Sequence, residues 1–292
     1  IHSSNIRGFL SEISAKFYKL KPKNIIAVTG TNGKTSVADL FFQILKLNNI
    51  PVASIGTLGV KYKNKIIDTD LTSPDTIFLH QVLEKLKKQN IDNVIIEASS
   101  HGLHQKRIEN LNLKAGIFTN FSQDHLDYHK SIKAYFNAKM LLFKKVLTKK
   151  SKIILDKSLK EFSTLKRIIK NRQLKLIDVS FIQKNLEERT DLKFNEIQLK
   201  NLSMAIAAAR ISNVSYINIF KSLRKIKDVS GRLELVRIFP NNIKVFVDFA
   251  HTPDALDKTL RILKEGRKQN ISVVFGCGGE RDFKKRPIMA KI

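Results

Sequence analysis

Cysteine is almost absent. Cys277 is the only one, so no disulfide can form within the chain, and that usage fits a reducing compartment. Long apolar runs are absent too. None approaches the ~20 residues that cross a bilayer, and the first residues carry no signal-peptide core, so the expectation is a cytoplasmic protein without a membrane partner. Acid is scarce: 26 Asp and Glu stand against 53 Lys and Arg, a net charge of +27. An excess of that size accompanies nucleic-acid binding when the basic residues gather among aromatics. Here they are scattered, with "KKVLTKKSK" (144–152) the densest stretch. Lys, Asn and Ile are abundant together, as A/T-rich coding spread over solvated faces would produce. No nucleic-acid partner is expected.

What the chain does have begins at "TGTNGKTS" (29–36). It ends in the Gly-Lys-Thr of a phosphate-binding loop, yet Val28 stands where the usual spacing wants glycine. The flanks argue for a site. "NIIAVTG" (24–30) reads as a buried strand, and "SVADLFFQILKLNN" places Val37, Leu40, Phe41, Ile44 and Leu45 at helical spacing. In a strand–loop–helix unit, the N–H groups opening the helix can face phosphate oxygens, with Lys34 on the terminal phosphates and the Thr35 hydroxyl on Mg²⁺. An ordinary strand-to-helix turn is the alternative.

At 292 residues there is room for about two domains. "NIIAVTG", "PVASIGTLG", "NVIIEASS" (93–100) and "KAGIFTNF" (114–121) alternate with helical segments such as 76–90, which predicts an α/β fold with a mostly parallel sheet. In such sheets ligands collect beyond the carboxyl ends of the strands. Residues 140–200 are Lys-rich and weakly patterned, with one expected strand, "SKIILD" (151–156); "NLSMAIAAARIS" (201–212) reads as a small-residue helix for close packing. After a Ser-Gly break in "KDVSGRLELV" (227–236) the pattern restarts, with strands expected in "IKVFVDF" and "ISVVFGCGG". The reading is a stub over 1–23, a central ATP-binding domain over 24–228 and, over 229–292, part of a Rossmann-like α/β domain with too few strands to bury a sheet alone. The chain therefore reads as a fragment.

Several polar residues fall at strand ends. Glu97 closes "NVIIE", where a carboxylate needs a partner: nucleotide-bound Mg²⁺, or hydrogen bonds within the protein. His101 and His125 each follow a strand, but a lone histidine serves equally as a packed or surface residue. Lys139, in "YFNAKMLLF", lies among apolar neighbours. It either snorkels to water or, if held dry, becomes a reactive neutral amine, including toward CO₂.

"TGTNGKTS", "EASSHGLHQKR", "TNFSQDHLDYH", "YFNAKMLLF", "SGRLELV", "VDFAHTPDAL" and "FGCGGERDFKKRP" occur in an order that resembles the Mur ligase family, most closely its UDP-N-acetylmuramoyl-tripeptide synthetase branch. The family's loop has this same short spacing, which accounts for Val28. The resemblance implies the central-domain fold of that family and, residue by residue, the following roles. Gly30, Thr31, Asn32, Gly33, Lys34, Thr35 and Ser36 cradle ATP, with Arg232, Asp248 and His251 near the nucleotide. Thr35, Glu97, His125 and Lys139 hold Mg²⁺, Lys139 as a carbamate; Lys34, Lys139 and His125 are the catalytic set. Thr72, Ser73, Ser99, Gln105 and Arg107 contact the UDP-MurNAc-dipeptide, and Arg281 the diamino acid.

The implied chemistry is attack of the D-Glu carboxylate on the γ-phosphate of ATP, then displacement of phosphate by an amine. "GCGGERDFKKRP" leans toward meso-diaminopimelate over lysine, and a monomer is expected. The family's uridine-gripping domain and its Asn-Pro-Arg motif have no counterpart in this sequence, and the segment from Lys139 to Asn201 is shorter than usual. Three other readings stay open at this point. They are a folylpolyglutamate synthase-like ligase, opposed by "SSHGL" and "GCGGERD", a basic nucleic-acid-binding ATPase, and a piece that keeps nucleotide affinity alone.

Overall fold

A computed structural model describes residues 5–189, 194–265, 270–278 and 282–292. The chain resolves into two compact units, Ile1–Asn120 with Asn137–Ile226, and Phe121–Phe136 with Lys227–Ile292. The second thus recruits a short internal segment that a linear boundary at 228 does not foresee.

The first unit opens with α1 (Ile6–Phe17), inside the stretch read as a stub, followed by β1 (Asn24–Thr29) and α2 (Lys34–Leu47). The expected single strand "PVASIGTLG" is instead two, β2 (Val52–Gly56) and β3 (Gly59–Tyr62), because Gly59 at φ 79° lets the chain reverse. Then come β4 (Lys65–Ile67), α3 (Thr76–Lys88), β5 (Asn93–Glu97), α4 (Ser100–His104) and β6 (Ala115–Phe118). Helices α5 (Leu126–His129) and α6 (Ile132–Leu141) lead to β7 (Lys152–Leu155), α7 (Phe162–Arg172), β8 (Lys175–Asp178), α8 (Ser180–Glu187), α9 (Glu196–Ile211) and α10 (Tyr216–Ser222).

The strands form one sheet in the order β4-β3-β2-β5-β1-β6-β7-β8. From β2 to β8 all neighbours are parallel, and β3 and β4 add an antiparallel edge. β1 lies between β5 and β6, with Val28 opposite Glu97 and Thr29 opposite Phe118. That register brings three loops together at the carboxyl edge. β8 was not legible: "KLID" is too short, and its neighbours too basic, to stand out from the Lys-rich background.

Packing follows burial. Strand β1 is apolar and buried over Ile25–Val28, as a central parallel strand must be. Helix α2 buries Val37, Phe41, Ile44 and Leu45, each contributing about 1.5–3 kcal/mol. Helix α9 packs on α2, and its buried Ser203, Ala205, Ala207, Ala208 and Ala209 permit the close approach. Its start is held by a capping box: Asn195 accepts from the Gln198 N–H at 2.9 Å, and Gln198 Oε1 accepts from the Asn195 N–H at 3.1 Å.

One core residue makes the first unit acid-sensitive. His80 of α3 is 0% exposed, and the Glu109 backbone offers its ring only a partial hydrogen bond. Burial first, then the charge of Lys21, push its pKa from 6.5 down to about 4. As pH falls through 6.5 the unfolded chain takes up a proton that the folded chain refuses until about 4. Stability is therefore complete above the upper value and lost across that window, by about 1.4 kcal/mol per pH unit and about 3 kcal/mol in all. Urea midpoints measured at about pH 7 and about pH 5 are expected to converge in His80→Leu. An unchanged gap in that variant would assign the acid loss to other groups.

The second unit contains α5, the start of α6, an antiparallel pair β9 (Glu234–Ile238) and β10 (Lys244–Val247), α11 (Pro253–Lys264) and α12 (Lys285–Lys291). The strand expected over "ISVVFGCGG" is not formed in the described residues 271–278, where Val274 is fully exposed. With no neighbouring strand to pair its backbone, an apolar run alone does not make a strand.

Candidate functional site

The loop after β1 is shaped by two glycines in the positive-φ region, Gly30 at 151° and Gly33 at 85°. A Cβ on Gly30 would meet Thr119 Oγ1 at 1.8 Å, and one on Gly33 would meet Asn201 Oδ1 at 2.5 Å. The loop after β6 grips this loop. The Thr31 N–H donates to the Asn120 carbonyl at 3.0 Å, the Asn32 N–H to Asn120 Oδ1 at 2.9 Å, and Thr119 Oγ1 to the Asn32 carbonyl at 2.6 Å. Gly33 is the N-cap of α2 and offers no side chain to the first-turn N–H groups, which therefore face outward with the positive end of the helix dipole. Thr35 and Ser36 are buried in that turn. Lys34 is turned onto the loop, donating to the carbonyls of Gly30 (3.0 Å) and Thr31 (2.9 Å).

Glu97, at the end of β5, is 1% exposed. Thr35 Oγ1 donates to its Oε2 at 2.9 Å, and the Thr57 N–H donates to its Oε1 at 2.9 Å. Gly56 makes this possible, since a Cβ there would meet Glu97 Oε1 at 2.1 Å. Hydrogen bonds within the protein and a hard-oxygen pair suited to Mg²⁺ are thus both present at one residue. A threonine hydroxyl and a carboxylate are the donor types that cation selects. Among the described residues no group of three or more His, Cys, Asp or Glu is placed to hold a metal, so a cation here would complete its shell with phosphate or water.

Glu97 also reaches a second cluster. Its carbonyl accepts from Ser73 Oγ at 2.8 Å; Ser73 Oγ receives the Ser99 N–H at 2.9 Å and lies 3.0 Å from Ser99 Oγ. Arg107 Nη1 donates to the Ser73 carbonyl at 2.8 Å, and its Nη2 to Gln105 Oε1. Thr72 Oγ1 lies 3.2 Å from Thr57 Oγ1. Ser99 caps α4, accepting from the Gly102 N–H at 3.0 Å, and Gly102 has no room for a Cβ against Ser73. The five residues Thr72, Ser73, Ser99, Gln105 and Arg107, separated by up to 35 positions in sequence, form one polar surface beside Glu97.

Lys139 is 1% exposed and does not snorkel. Its Nζ donates to the Gly30 carbonyl at 2.7 Å, so two lysine amines, Lys34 and Lys139, share one oxygen of the phosphate loop.

His125 belongs to the second unit. It sits at φ 53° as the N-cap of α5, its Nε2 3.2 Å from Asp124 Oδ2. Asp124, 3% exposed, also accepts from His251 Nε2 at 3.2 Å and faces Lys285 Nζ at 3.7 Å. Burial would raise its pKa, but the His251 hydrogen bond and the charges of His125, His251 and Lys285 outweigh it, holding the carboxyl far below its ordinary range. Asp248 is occupied by the backbone: its carboxylate accepts from the Leu233 N–H at 2.6 Å and the Ala250 N–H at 2.8 Å. Arg232 stacks on the Phe249 ring, 4.4 Å from its centroid. Arg281 lies outside the described residues.

Sequence reasoning missed Thr57, Thr119, Asn120, Asp124 and Asn201. Thr119 and Asn120 follow β6 directly, so the strand-end rule that selected Glu97 applies to them equally. Asn201 and Asp124 gave no such signal; only packing puts one against Gly33 and the other among His125, His251 and Lys285.

Residues 28–220 match the Mur ligase middle domain, and residues 231–292 match the Mur ligase glutamate ligase domain. The UDP-N-acetylmuramoyl-L-alanyl-D-glutamate–2,6-diaminopimelate ligase of Brucella melitensis is 35% identical over 315 residues, covering 100% of this chain. The chain spans 64% of that relative's length, just under two thirds. A solved structure of a ligase of the same name superposes with a TM-score of 0.72 at 26% identity, covering 100% of this chain and 64% of that one. A bifunctional folylpolyglutamate synthase/dihydrofolate synthase from Yersinia pestis, complexed with AMPPNP and Mn ion, shares the fold: TM-score 0.64, 19% identity, 90% and 70% coverage.

Proposed function

Because the chain belongs to the Mur ligase family, we propose that it carries the ATP-binding and carboxylate-activating parts of a ligase joining a diamino acid, meso-2,6-diaminopimelate, to UDP-N-acetylmuramoyl-L-alanyl-D-glutamate in peptidoglycan synthesis. The observation that supports this most is Glu97, whose carboxylate belongs to the phosphate loop while its carbonyl belongs to the Ser73–Ser99–Arg107 surface. An enzyme that phosphorylates a carboxylate needs a γ-phosphate site and an anionic-substrate site in contact, and one residue joins them.

In this reading the D-Glu carboxylate attacks the γ-phosphorus of ATP, ADP leaves, and the acyl phosphate is opened by the free amine of the diamino acid, which loses a proton as phosphate departs. Gly30 to Ser36 hold the triphosphate through backbone N–H groups. Lys34, on a flexible stem, moves from the loop carbonyls to the transferring phosphoryl group. Ser73, Ser99, Gln105 and Arg107 orient the acceptor. Thr35 and Glu97 would hold Mg²⁺, which neutralises phosphate charge when bound. Lys139 joins them as a carbamate. Two ammonium groups on the Gly30 carbonyl repel, whereas a carbamate keeps one N–H for that oxygen and turns a repelling charge into an attracting one. Arg232, Asp248 and His251 are assigned to the nucleotide, His125 to metal and Arg281 to the diamino acid on the family resemblance. Residues 24–228 are taken as the ATP-binding domain and 229–292 as part of the ligase domain, in a monomeric cytoplasmic protein that binds neither nucleic acid nor membrane.

Phosphate release from ATP is expected only when UDP-MurNAc-L-Ala-D-Glu and diaminopimelate are both supplied. Arg107→Ala should raise KM for the nucleotide-sugar peptide about 10-fold or more and leave KM for ATP nearly unchanged, since a charge-assisted contact contributes about 1.5–3 kcal/mol. Release driven by a folate and glutamate instead would replace this reading with its nearest alternative.

A further inference from the structure

Lysines that lie far apart in the sequence are gathered by the sheet. Lys152 opens β7 and Lys175 opens β8, and the two are register partners in the parallel pairing. Lys114 directly precedes β6, and its carbonyl accepts from the Lys152 N–H at 3.0 Å. Lys149 and Lys150 belong to the turn before β7. The Lys150 N–H donates to the Gln173 carbonyl at 3.0 Å, and the Lys175 N–H to the Ser151 carbonyl at 2.9 Å. Three segments are thus fixed side by side at the amino edge of the sheet, opposite the edge that carries the phosphate loop. Lys114, Lys149, Lys150 and Lys175 are exposed, and Lys152 is half-buried. Among the described residues none of the five forms an ion pair, and residues 110–122, 143–155 and 162–177 contain no Asp or Glu. Elsewhere on these strands charge is balanced. Lys23, before β1, has Asp92 at 4.0 Å, and past the carboxyl ends of β7 and β8 Asp156 pairs with Lys200 and Asp178 with Lys157. Five ammonium groups gathered without a counter-ion repel one another, so the folded chain holds this edge at an electrostatic cost.

We propose that this amino edge is a docking surface for an extended acidic segment of a partner protein. Adjacent strands lie about 4.8 Å apart, so the row from Lys114 through Lys152 to Lys175 runs about 10 Å. Same-side residues of an extended peptide recur about every 6.7 Å, a mismatch that the flexible lysine stems absorb. Carboxylates are the anions that fit. Arg172, at the turn before β8, is drawn away from the row, its Nη2 donating to the Leu147 carbonyl at 2.9 Å. The row therefore presents point charges in place of the guanidinium fork suited to bidentate phosphate contacts. Among the described residues between Ile77 and Phe181, Ile132 alone is an exposed large apolar side chain, and it belongs to the second unit. The edge thus has neither a ring for a nucleic-acid base to stack on nor an apolar wedge to enter a bilayer. Docking here leaves the carboxyl edge open to its own ligands. The surface belongs to the sheet of the first unit and does not depend on the ligase reading.

The test is fluorescence anisotropy of a labelled oligo-glutamate peptide with the full chain at low ionic strength. Lys114→Gln/Lys152→Gln/Lys175→Gln is compared with Lys19→Gln/Lys65→Gln/Lys85→Gln, which removes the same charge from exposed lysines elsewhere in the first unit. The edge variant is expected to bind about 10-fold more weakly than wild type, since three ion pairs are lost, and the control to stay within about twofold. Equal losses in the two variants, or a wild-type chain that does not bind the peptide, overturn the proposal. Phosphatidylserine vesicles and duplex DNA are the other arms. If either loses more affinity than the peptide does in the edge variant, the assignment to an acidic protein is overturned. The urea midpoint of the edge variant is expected at or above that of wild type, because repulsion is relieved. Should that variant fail to fold, Lys175→Gln alone is expected to weaken peptide binding about threefold, and undiminished binding there counts against the docking surface. Phosphate release separates the two readings. A chain without ligase turnover that still shows the edge-specific loss defeats the ligase reading and leaves the docking surface standing. Unchanged release in the edge variant supports a surface apart from the site, and a fall would place these lysines in the chemistry and overturn the docking role.

Discussion

Gly30→Ala is expected to destabilise the first unit by about 2–6 kcal/mol and to abolish Mg-ATP binding. At φ 151° the backbone of Gly30 is in a region that L side chains rarely enter, which costs about 1–3 kcal/mol by itself. The added methyl would also stand 1.8 Å from Thr119 Oγ1 and 3.1 Å from the backbone N and O of Asn120. Thr119 cannot swing aside freely, because its hydroxyl donates to the Asn32 carbonyl at 2.6 Å and so anchors the phosphate loop. Overpacking of this kind adds about 1–3 kcal/mol. The methyl must therefore displace backbone, in the loop whose N–H groups face the phosphates. Urea unfolding and calorimetric titration with Mg-ATP read the two effects. Gly30→Ala/Thr119→Ala should recover part of the stability, the dihedral strain remaining. A single variant as stable as wild type would mean that the β1 and β6 loops do not approach as described.

Lys139→Ala is expected to lower ligase turnover by about two to three orders of magnitude while the protein stays folded. The fold survives because the Gly30 carbonyl keeps its other donor, Lys34, at 3.0 Å. Turnover falls because the charge at this position lies against the phosphate loop, where the proposed carbamate would help hold metal. Electrostatic terms of several kcal/mol are usual for such groups, which sets the scale of the loss. Lys139→Glu restores a negative charge on a shorter stem and should retain more turnover than Lys139→Ala. A carbamate carbon signal in wild type incubated with ¹³C-bicarbonate, absent from Lys139→Met, is the readout that does not depend on activity. Full turnover in Lys139→Ala would falsify both the carbamate and the place of this lysine in the site.

Much of the first unit is visible in the amino acids alone. Ile25–Val28 is an uninterrupted apolar run ending in glycine, and the helix after it repeats its apolar residues at helical spacing, so strand, loop and helix follow from local chemistry. Glu97, at the end of an apolar strand, had to be a partnered carboxylate for the same reason. Lys139 was ambiguous, since a lysine between apolar neighbours either snorkels or stays dry, and its sequence neighbours do not say which. Its burial in the folded chain, with the Gly30 carbonyl 109 positions away as acceptor, made it dry.

Other features depended wholly on the fold. β8 exists because β7 offers it a parallel edge, while the more apolar "ISVVF" forms no strand among the described residues: backbone hydrogen bonds come from a neighbour, not from hydrophobicity. The fit of Gly33 against Asn201, 168 positions away, is likewise a packing event. Asp124 shows the limit most clearly. In sequence it is one acid beside one histidine; in the folded unit it faces His125, His251 and Lys285, which together hold its carboxyl far below the ordinary range. Local pattern reports what a residue can do on one element. Coulomb energies and close contacts depend on distances between elements, and those distances come into being only when the chain folds.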